Sequence, residues 1–257
     1  AEKLWHFGLG TEKLEEAVGK LFPGARTARM DRDTTRRKGR LLSLLKDLRR
    51  GAIDILIGTQ MVAKGHDFPN ITLVGIVCAD TTLNFPDFRA SERTFQLLAQ
   101  VAGRAGRGRR PGRVILQTYN PEHFTITTAR QQNYAAFYQK EIAYRSELGY
   151  PPYSRMVQFL VTGRDRAQTR ETAEALGAAA RSRLQREGHL QSQIRILGPA
   201  QAALQQVAGR FRWQLLIKGQ RPALLNRFAR DLLQAAPSSR SGESLQVFVD
   251  VDPLFMM

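Results

Sequence analysis

The chain has 257 residues, enough for one large domain or two smaller ones, and 42% of them are hydrophobic, which is sufficient for a packed core. Its 39 Lys and Arg residues outnumber 23 Asp and Glu, giving a formal net charge of +16. The basic excess is spread over both halves and favours a polyanionic partner, most often nucleic acid. No apolar run reaches membrane-spanning length. A single cysteine, Cys78, excludes an internal disulfide and fits a reducing cytoplasm.

The first 120 residues alternate between strand-like apolar runs and helical patterns. The predicted strands cover residues 3–10, 27–31, 53–58, 72–80 and 112–119, the fourth of which would bury the Cys78 thiol. The predicted helices cover residues 11–22 with Thr11 as N-cap, 38–51 closed by Gly51, and 91–104 capped by Ser91. Strands that alternate with helices in this way predict an α/β fold with a parallel sheet and helices on its faces.

The pattern changes after a long helical stretch over residues 122–148. Gly149, Pro151 and Pro152 end that helix and mark a domain boundary, so we expect domains at 1–149 and 150–257. Beyond the boundary the order is strand, helix, strand, strand, helix, strand, at residues 155–163, 166–188, 193–198, 209–219, 222–234 and 245–253. This βαββαβ order predicts a smaller α+β unit of the ferredoxin-like kind.

The stretch "QVAGRAGR" carries three polar side chains, Gln100, Arg104 and Arg107, which share one face if the stretch is helical. Arginine forks of this kind suit phosphate oxygens. The chain contains neither the phosphate loop G-x-x-x-x-G-K-[ST] nor an Asp-Glu dipeptide. We therefore interpret the arginines as fingers supplied to a nucleotide that another module holds.

A second polar cluster lies in "ILIGTQMVAKGHDFPN", residues 55–70, directly after a predicted strand. Its candidate residues are Thr59, Gln60, Lys64, Gly65 and Asp67. Loops at the carboxyl ends of parallel strands commonly bind ligands, and these donors suit a phosphodiester backbone. An ordinary loop with a helix cap explains the same residues, and the cluster alone does not decide between the two.

Taken together, the two clusters resemble motifs V and VI of superfamily 2 helicases. The segments "GLGTE", "RMDRDT", "PDFRASERTFQLLAQVAGRAGR" and the final "DVDP" are similar to the PriA family of replication-restart helicases, over almost the whole chain. The resemblance implies a RecA-like second helicase lobe followed by a C-terminal α+β domain. It also implies an ATP-dependent 3′–5′ DNA helicase that recognises stalled or branched forks and promotes primosome assembly.

The same resemblance implies residue roles and partners. Arg104 and Arg107 would stabilise the γ-phosphate of ATP and Gln100 would help to orient it. Gly65 and Asp67 would lie at the nucleotide edge, and the DNA contacts would come from Thr59, Gln60 and Lys64. ATP and Mg²⁺ would be held mainly by a first lobe outside this chain, and the family's zinc module would also lie outside it. Expected partners are forked and single-stranded DNA, the single-stranded DNA-binding protein and primosome proteins. The chain alone is expected to lack ATPase activity and to be cytoplasmic.

The stretch "GRFRWQLLIKG" alternates apolar and polar residues with the period of a strand. The period predicts that Phe211, Trp213, Leu215 and Ile217 form core, and it leaves Arg210 and Arg212 on the other face as candidate DNA contacts. Asp250 and Asp252 share a strand face, but no third ligand is near in sequence, so a solvated strand edge is the preferred reading. The alternative function is a stand-alone, non-enzymatic nucleic-acid-binding protein. That alternative explains the charge but not the two helicase motifs.

Overall fold

A computed structural model of the chain describes residues 10–31, 34, 39–59, 71–103, 111–235 and 245–256. The chain folds as two compact units. The first consists of Ala1–Phe85 and Arg89–Gln139, and the second of Pro86–Phe88 and Lys140–Met257. The three residues Pro86–Phe88 therefore fold with the second unit, although the residues before and after them belong to the first.

The first unit combines short helices with two pairs of parallel strands. Its helices are α1 (Thr11–Leu21), α2 (Arg40–Arg49), α3 (Asp80–Leu83), α4 (Ala90–Ala102) and α5 (Phe124–Arg130), and its strands are β1 (Thr27–Met30), β2 (Ile55–Gly58), β3 (Leu73–Ile76) and β4 (Arg113–Leu116). A further helix, α6 (Tyr134–Leu148), begins in this unit and continues into the second. The parallel pairing predicted from the alternation is confirmed. Among the described residues it forms two separate sheets, β1–β2 and β3–β4.

The core of the first unit forms around one face of α4. Phe95 and Leu98 are buried on that face, and the Phe95 ring stacks on Phe137 of α6 with centroids 4.3 Å apart. Ile126 of α5 and Leu83 of α3 close the same cluster. Since these residues recur at helical spacing along α4, the helix has one buried face and leaves the opposite face for other roles.

Several local predictions for this unit are wrong. Gly10, not Thr11, is the N-cap of α1, because Thr11 lies inside the helix and its hydroxyl donates to Asp31 at 2.8 Å. Arg89 rather than Ser91 precedes α4. Cys78 was expected to be buried within a strand, but it follows β3 with φ of 55° and is only half-buried, and its sulfur accepts a hydrogen bond from the Thr81 hydroxyl.

The long helix predicted over residues 122–148 is two helices, α5 and α6. Gln132 between them adopts a positive φ of 51°, which ends the helical path. Asn133 then caps α6 by accepting a hydrogen bond from the backbone N–H of Ala136 at 2.9 Å. The helical periodicity on both sides hid this break, because neither Gly nor Pro marks it.

The second unit is a four-stranded antiparallel sheet with two helices. Its elements are β5 (Arg155–Gly163), α7 (Arg166–Arg186), a 3₁₀ turn (Gly188–Leu190), β6 (Ile194–Val207), β7 (Arg210–Gly219), α8 (Pro222–Ala235) and β8 (Leu245–Val251). The strands lie in the order β6-β7-β5-β8, and all neighbouring pairs are antiparallel. β6 continues nine residues beyond its predicted end at residue 198, with irregular pairing to β7 along the extension.

Each central strand buries side chains on both faces of this sheet. On one face Phe159, Trp213 and Ile217 pack with α7 and α8 in the main core. The predicted inward aromatic stripe of β7 is thereby confirmed, with Phe211 partly buried against the same core. Met156 and Leu216 alternate onto the opposite face, where they form a smaller core.

Gly177 in α7 packs closely against Pro199 of β6. A Cβ at position 177 would lie 2.6 Å from Cδ of Pro199, a contact that a rigid proline ring cannot relieve by rotating. Glycine is unfavourable inside helices, so its presence here is explained by close packing and not by helix propensity.

We expect Gly177→Ala to lower the free energy of unfolding by about 1–3 kcal/mol, because the overpacking cost exceeds the gain in helix propensity. Gly19→Ala is the matched control, since Gly19 lies inside α1 with open space around its Cβ position. That change should stabilise α1 by about 0.5–1 kcal/mol. Urea unfolding followed by circular dichroism measures both, and stabilisation by Gly177→Ala would contradict the close packing.

Candidate functional site

The structure describes four of the predicted site residues: Thr59, Gln100, Arg210 and Arg212. The others, Gln60, Lys64, Gly65, Asp67, Arg104 and Arg107, lie outside the described residues. Of the two helicase-like clusters, the structure therefore describes the end of β2 with Thr59 and the end of α4 with Gln100.

The carboxyl edge of the β1–β2 sheet holds Thr59. Met30 and Gly58 pair as the last residues of their parallel strands, so Asp31 and Thr59 follow at the same edge. Thr59 is exposed, whereas Asp31 is buried. Ligands of open α/β sheets bind at this kind of edge, and Thr59 is the exposed residue of the second cluster that the structure describes there.

Asp31 forms several hydrogen bonds directly after β1. Its carboxylate accepts hydrogen bonds from the Thr34 backbone N–H and the Thr11 hydroxyl, both at 2.8 Å. Its own N–H donates to the Thr34 hydroxyl at 2.9 Å. The hydrogen bond from the Thr34 backbone is the largest of the effects that hold the pKa of Asp31 below its ordinary value, and the Thr11 bond and the charge of Arg29 act in the same direction.

Arg29 of β1 forms ion pairs with three carboxylates, two on helix α1 and one at Asp31, just after β1. Its guanidinium lies 3.1 Å from Asp31, 3.4 Å from Glu12 and 3.8 Å from Glu15. The contact with Asp31 is an ion pair without hydrogen-bond alignment at the buried Nε. Arg29, Asp31 and Thr34 all lie in "RMDRDT", a segment that resembles the PriA family. Their ionic network was not predicted.

Helix α4 leads to the arginine motif. Thr94, Phe95 and Leu98 are buried on its inner face, while Gln100 in its last turn is exposed. The helix ends at Ala102, and the N–H of Gly103 donates to the carbonyl of Ala99 at 3.1 Å. Arg104 and Arg107, which are predicted to share a face with Gln100, lie outside the described residues, so the shared face stays a prediction.

The carboxyl edge of the β3–β4 sheet is occupied by an internal network that was not predicted. The buried Asp80 carboxylate accepts a hydrogen bond from the Thr118 hydroxyl at 3.0 Å and from the Tyr119 backbone at 3.1 Å. Asp80 lies at the start of α3, where a negative charge is favourable. An acidic residue just after an apolar strand was the available sequence signal, but its partners are 38 and 39 residues away.

Arg210 and Arg212 lie on β7, on the sheet face opposite the main core, as their alternation predicted. Arg212 stands opposite Thr162 of β5 in the strand register. The Arg210 guanidinium donates to the hydroxyl and the backbone carbonyl of the same Thr162, each at 3.4 Å. Both arginines are half-buried, so only part of each guanidinium is available to a ligand.

Asp252 differs from the solvated edge residue that was expected. Its carboxylate accepts hydrogen bonds from the Met156 backbone at 3.3 Å and from the Arg155 guanidinium at 3.1 Å. It therefore closes the β5–β8 pair.

Within the described ranges no three His, Cys, Asp or Glu side chains cluster as metal ligands. No helix in the same ranges has both the length and the apolar character needed to cross a membrane.

Two family models match separate parts of the chain. The model of the helicase conserved C-terminal domain matches residues 4–109, which contain both helicase-like clusters. The model of the primosomal protein N C-terminal domain matches residues 146–254, which contain the antiparallel sheet.

The chain also aligns over nearly all of its length with curated proteins named replication restart protein PriA. It is 41% identical to the one from Bacillus subtilis, covering 100% of this chain and 31% of that protein. It is 43% identical to the one from Synechocystis and 42% identical to the one from Treponema pallidum, covering 96% of this chain each time. It covers 28% and 36% of those two proteins, so it spans about a third of the length of these relatives.

We expect Asp31→Asn to lower the free energy of unfolding by about 1–2 kcal/mol at neutral pH, because it removes the charge that the Thr34, Thr11 and Arg29 contacts stabilise. The folded-state pKa of Asp31 is depressed, so the advantage of the wild type is present above the ordinary pKa. It is lost as the pH falls through the folded-state pKa.

Urea unfolding at several pH values tests this prediction. Glu16→Gln is the control, because Glu16 forms only an exposed ion pair with Lys20 on α1, and its effect should stay within about 0.5 kcal/mol. A wild-type advantage over Asp31→Asn that persists undiminished at pH values below about 3 would contradict the assigned network.

Proposed function

The chain belongs to the PriA family of replication restart proteins, whose carboxyl-terminal portion it matches, and we propose that it works as the second lobe and C-terminal domain of an ATP-dependent DNA helicase. The observation that carries this proposal is the succession of the two domain models along one chain that aligns throughout with a replication restart protein. A stand-alone nucleic-acid-binding protein would account for the charge of +16 but not for this succession.

The proposed architecture divides the chain at residues 1–149 and 150–257. The parallel β1–β2 and β3–β4 pairs with flanking helices support a RecA-like second lobe in the first part. The strand order β6-β7-β5-β8, with one helix between β5 and β6 and another between β7 and β8, supports a ferredoxin-like second part.

In the proposed reaction, Arg104 and Arg107 bind the γ-phosphate of ATP and Gln100 helps to orient it. The exposure of Gln100 at the end of a helix whose other face is packed supports this role. ATP and its Mg²⁺ are held mainly by a lobe with a phosphate loop, a motif that this sequence lacks. Arginines that arrive from a second lobe complete the site only when the lobes close, so hydrolysis is linked to movement.

The loop after β2 is proposed to connect the nucleotide to DNA. Gly65 and Asp67 would lie at the nucleotide edge, while Thr59, Gln60 and Lys64 contact the DNA backbone. The exposed position of Thr59 at the carboxyl edge of β2 supports this assignment.

The proposed partners follow from the family and from the charge. They are forked and single-stranded DNA, the single-stranded DNA-binding protein and primosome proteins, encountered in the cytoplasm, with unwinding in the 3′–5′ direction. Arg210 and Arg212 are proposed DNA contacts of the second unit, because both present part of a guanidinium on the sheet face away from the helices. No role for zinc is proposed within this chain.

In the full-length protein, Arg104→Ala and Arg107→Ala should each lower the kcat of DNA-stimulated ATP hydrolysis by about 10³-fold or more, because each removes transition-state stabilisation. Arg109→Ala is the matched control, since it removes the same charge two residues beyond the motif. The DNA dissociation constants of all three variants should stay within about threefold of the wild type at equal salt concentration. Unchanged ATP turnover in both motif variants would refute the arginine assignment.

A further inference from the structure

Two aromatic rings and two cations of the second unit form a continuous series of contacts. The rings of Phe88 and Tyr150 stack with centroids 5.0 Å apart and planes within 4°. The Arg145 guanidinium lies 5.1 Å from the Phe88 ring centroid, and the Lys218 ammonium lies 4.2 Å from the Tyr150 centroid. Cations over ring faces and stacked rings are both attractive, so the four side chains support one another. We call this group the Phe88–Tyr150 stack.

Both cations of the stack are held in place by further contacts. Arg145 binds Glu141 at 2.7 and 2.8 Å, and both side chains are largely buried. Lys218 is 6% exposed and donates to the Leu148 carbonyl at 2.6 Å, at the end of α6. Burial is the main cause that lowers the pKa of Lys218, and the charge of Arg195 adds to it. Lys218 is therefore confined to a site that offers it a carbonyl and a ring face.

The backbone fixes where the Tyr150 ring stands. Gly149 follows α6 with φ of +61°, and its N–H donates to the Ser146 carbonyl at 3.2 Å. The N–H of Tyr150 donates to the Arg145 carbonyl at 2.8 Å, which completes a Schellman motif. The same helix end thus positions Tyr150, Arg145 and the Leu148 carbonyl.

The segment Pro86–Phe88 is held to this site by more than ring stacking. The buried Asp87 carboxylate accepts a hydrogen bond from the Met256 backbone at 3.4 Å. Phe88 and Tyr150 pack against the small core of Met156, Leu216 and Met256. Ring stacking, a hydrogen bond and apolar packing therefore keep Pro86–Phe88 with the second unit. The chain on either side of this segment belongs to the first unit.

This segment is covalently next to the helix that leads to the arginine motif. Phe88 precedes Ala90, the first residue of α4, by two residues, and Arg104 follows the end of α4 at Ala102 by two. A 13-residue helix transmits a displacement of one end to the other, because its backbone hydrogen bonds keep it stiff.

We propose that Phe88 and Tyr150 are positioning residues for ATP hydrolysis. Their stack holds Phe88, and Phe88 lies two residues before α4, the helix that carries Gln100 and leads along the chain to Arg104 and Arg107. This inference rests on the proposed function of those arginines. It adds two residues outside the arginine motif on which the rate of hydrolysis depends.

The test uses Phe88→Ala, Tyr150→Leu and the conservative Phe88→Tyr in the full-length protein. ATP hydrolysis is measured at saturating DNA, and DNA affinity is measured separately. Phe88→Ala and Tyr150→Leu should lower kcat by about tenfold or more while the KM for ATP stays within about threefold, because misplaced arginines lose transition-state contacts without losing ground-state binding. Phe88→Tyr keeps a stacked ring and should retain wild-type kcat. The double variant should be no slower than the slower single variant, since both remove one contact.

Phe248→Ala is the matched control, because Phe248 is an aromatic residue of the same unit that is 53% exposed. Thermal unfolding of every variant shows whether it is folded at the assay temperature. If Phe88→Ala is unfolded there, Phe88→Leu, which keeps apolar volume without an aromatic ring, replaces it. A folded stack variant with kcat within about twofold of the wild type overturns the proposal, as does an equal loss in Phe248→Ala.

The arginine variants separate this inference from the function on which it rests. If Arg104→Ala and Arg107→Ala keep wild-type turnover, the proposed function itself is wrong. If they lose turnover while folded Phe88 and Tyr150 variants keep it, the arginine assignment stands and only the positioning role is wrong.

Discussion

The burial of the antiparallel sheet on both of its faces is the constraint on which the second unit depends. Because side chains alternate along β5 and β7, the sequence that gives one face its main core also presents Met156, Leu216 and Lys218 on the other. Helices α7 and α8 cover the first face. The second face is covered at one end by Phe88, Tyr150 and Met256, which come from distant parts of the chain.

Lys218 determines which groups can pack on this second face of the sheet. A buried ammonium group destabilises the fold unless polar or aromatic groups replace its water, and here the Leu148 carbonyl and the Tyr150 ring do so. The end of α6 must therefore lie over β7, and the stack with Phe88 follows from that placement. An apolar residue at position 218 could be buried by many different packing arrangements. The lysine ammonium group requires a hydrogen-bond acceptor at this point.

Sequence patterns predicted the order of the second unit's elements and most of their limits, because these signals are local, although β6 runs nine residues beyond its predicted end. The predicted limits of β5 are those observed, and α8 differs by one residue at its end. In the first unit, tertiary contacts overrode local rules: Asp31 takes the Thr11 hydroxyl that was expected to cap α1. The Thr11–Asp31, Thr118–Asp80 and Phe88–Tyr150 contacts escaped prediction, because the partners are 20, 38 and 62 residues apart and no sequence period couples them.

The candidate site depends on which polar residues remain exposed. Asp31, Asp80 and Thr94 use their polar groups inside the fold, so they act as structural supports. Thr59 and Gln100 are exposed, and each belongs to one of the two helicase-like clusters. The most direct test of the central claim compares ATP hydrolysis by this chain alone with hydrolysis by the full-length protein, each with and without DNA. The account predicts DNA-stimulated turnover for the full-length protein and none for the isolated chain. DNA-stimulated turnover by the isolated chain that Arg104→Ala abolishes would contradict it.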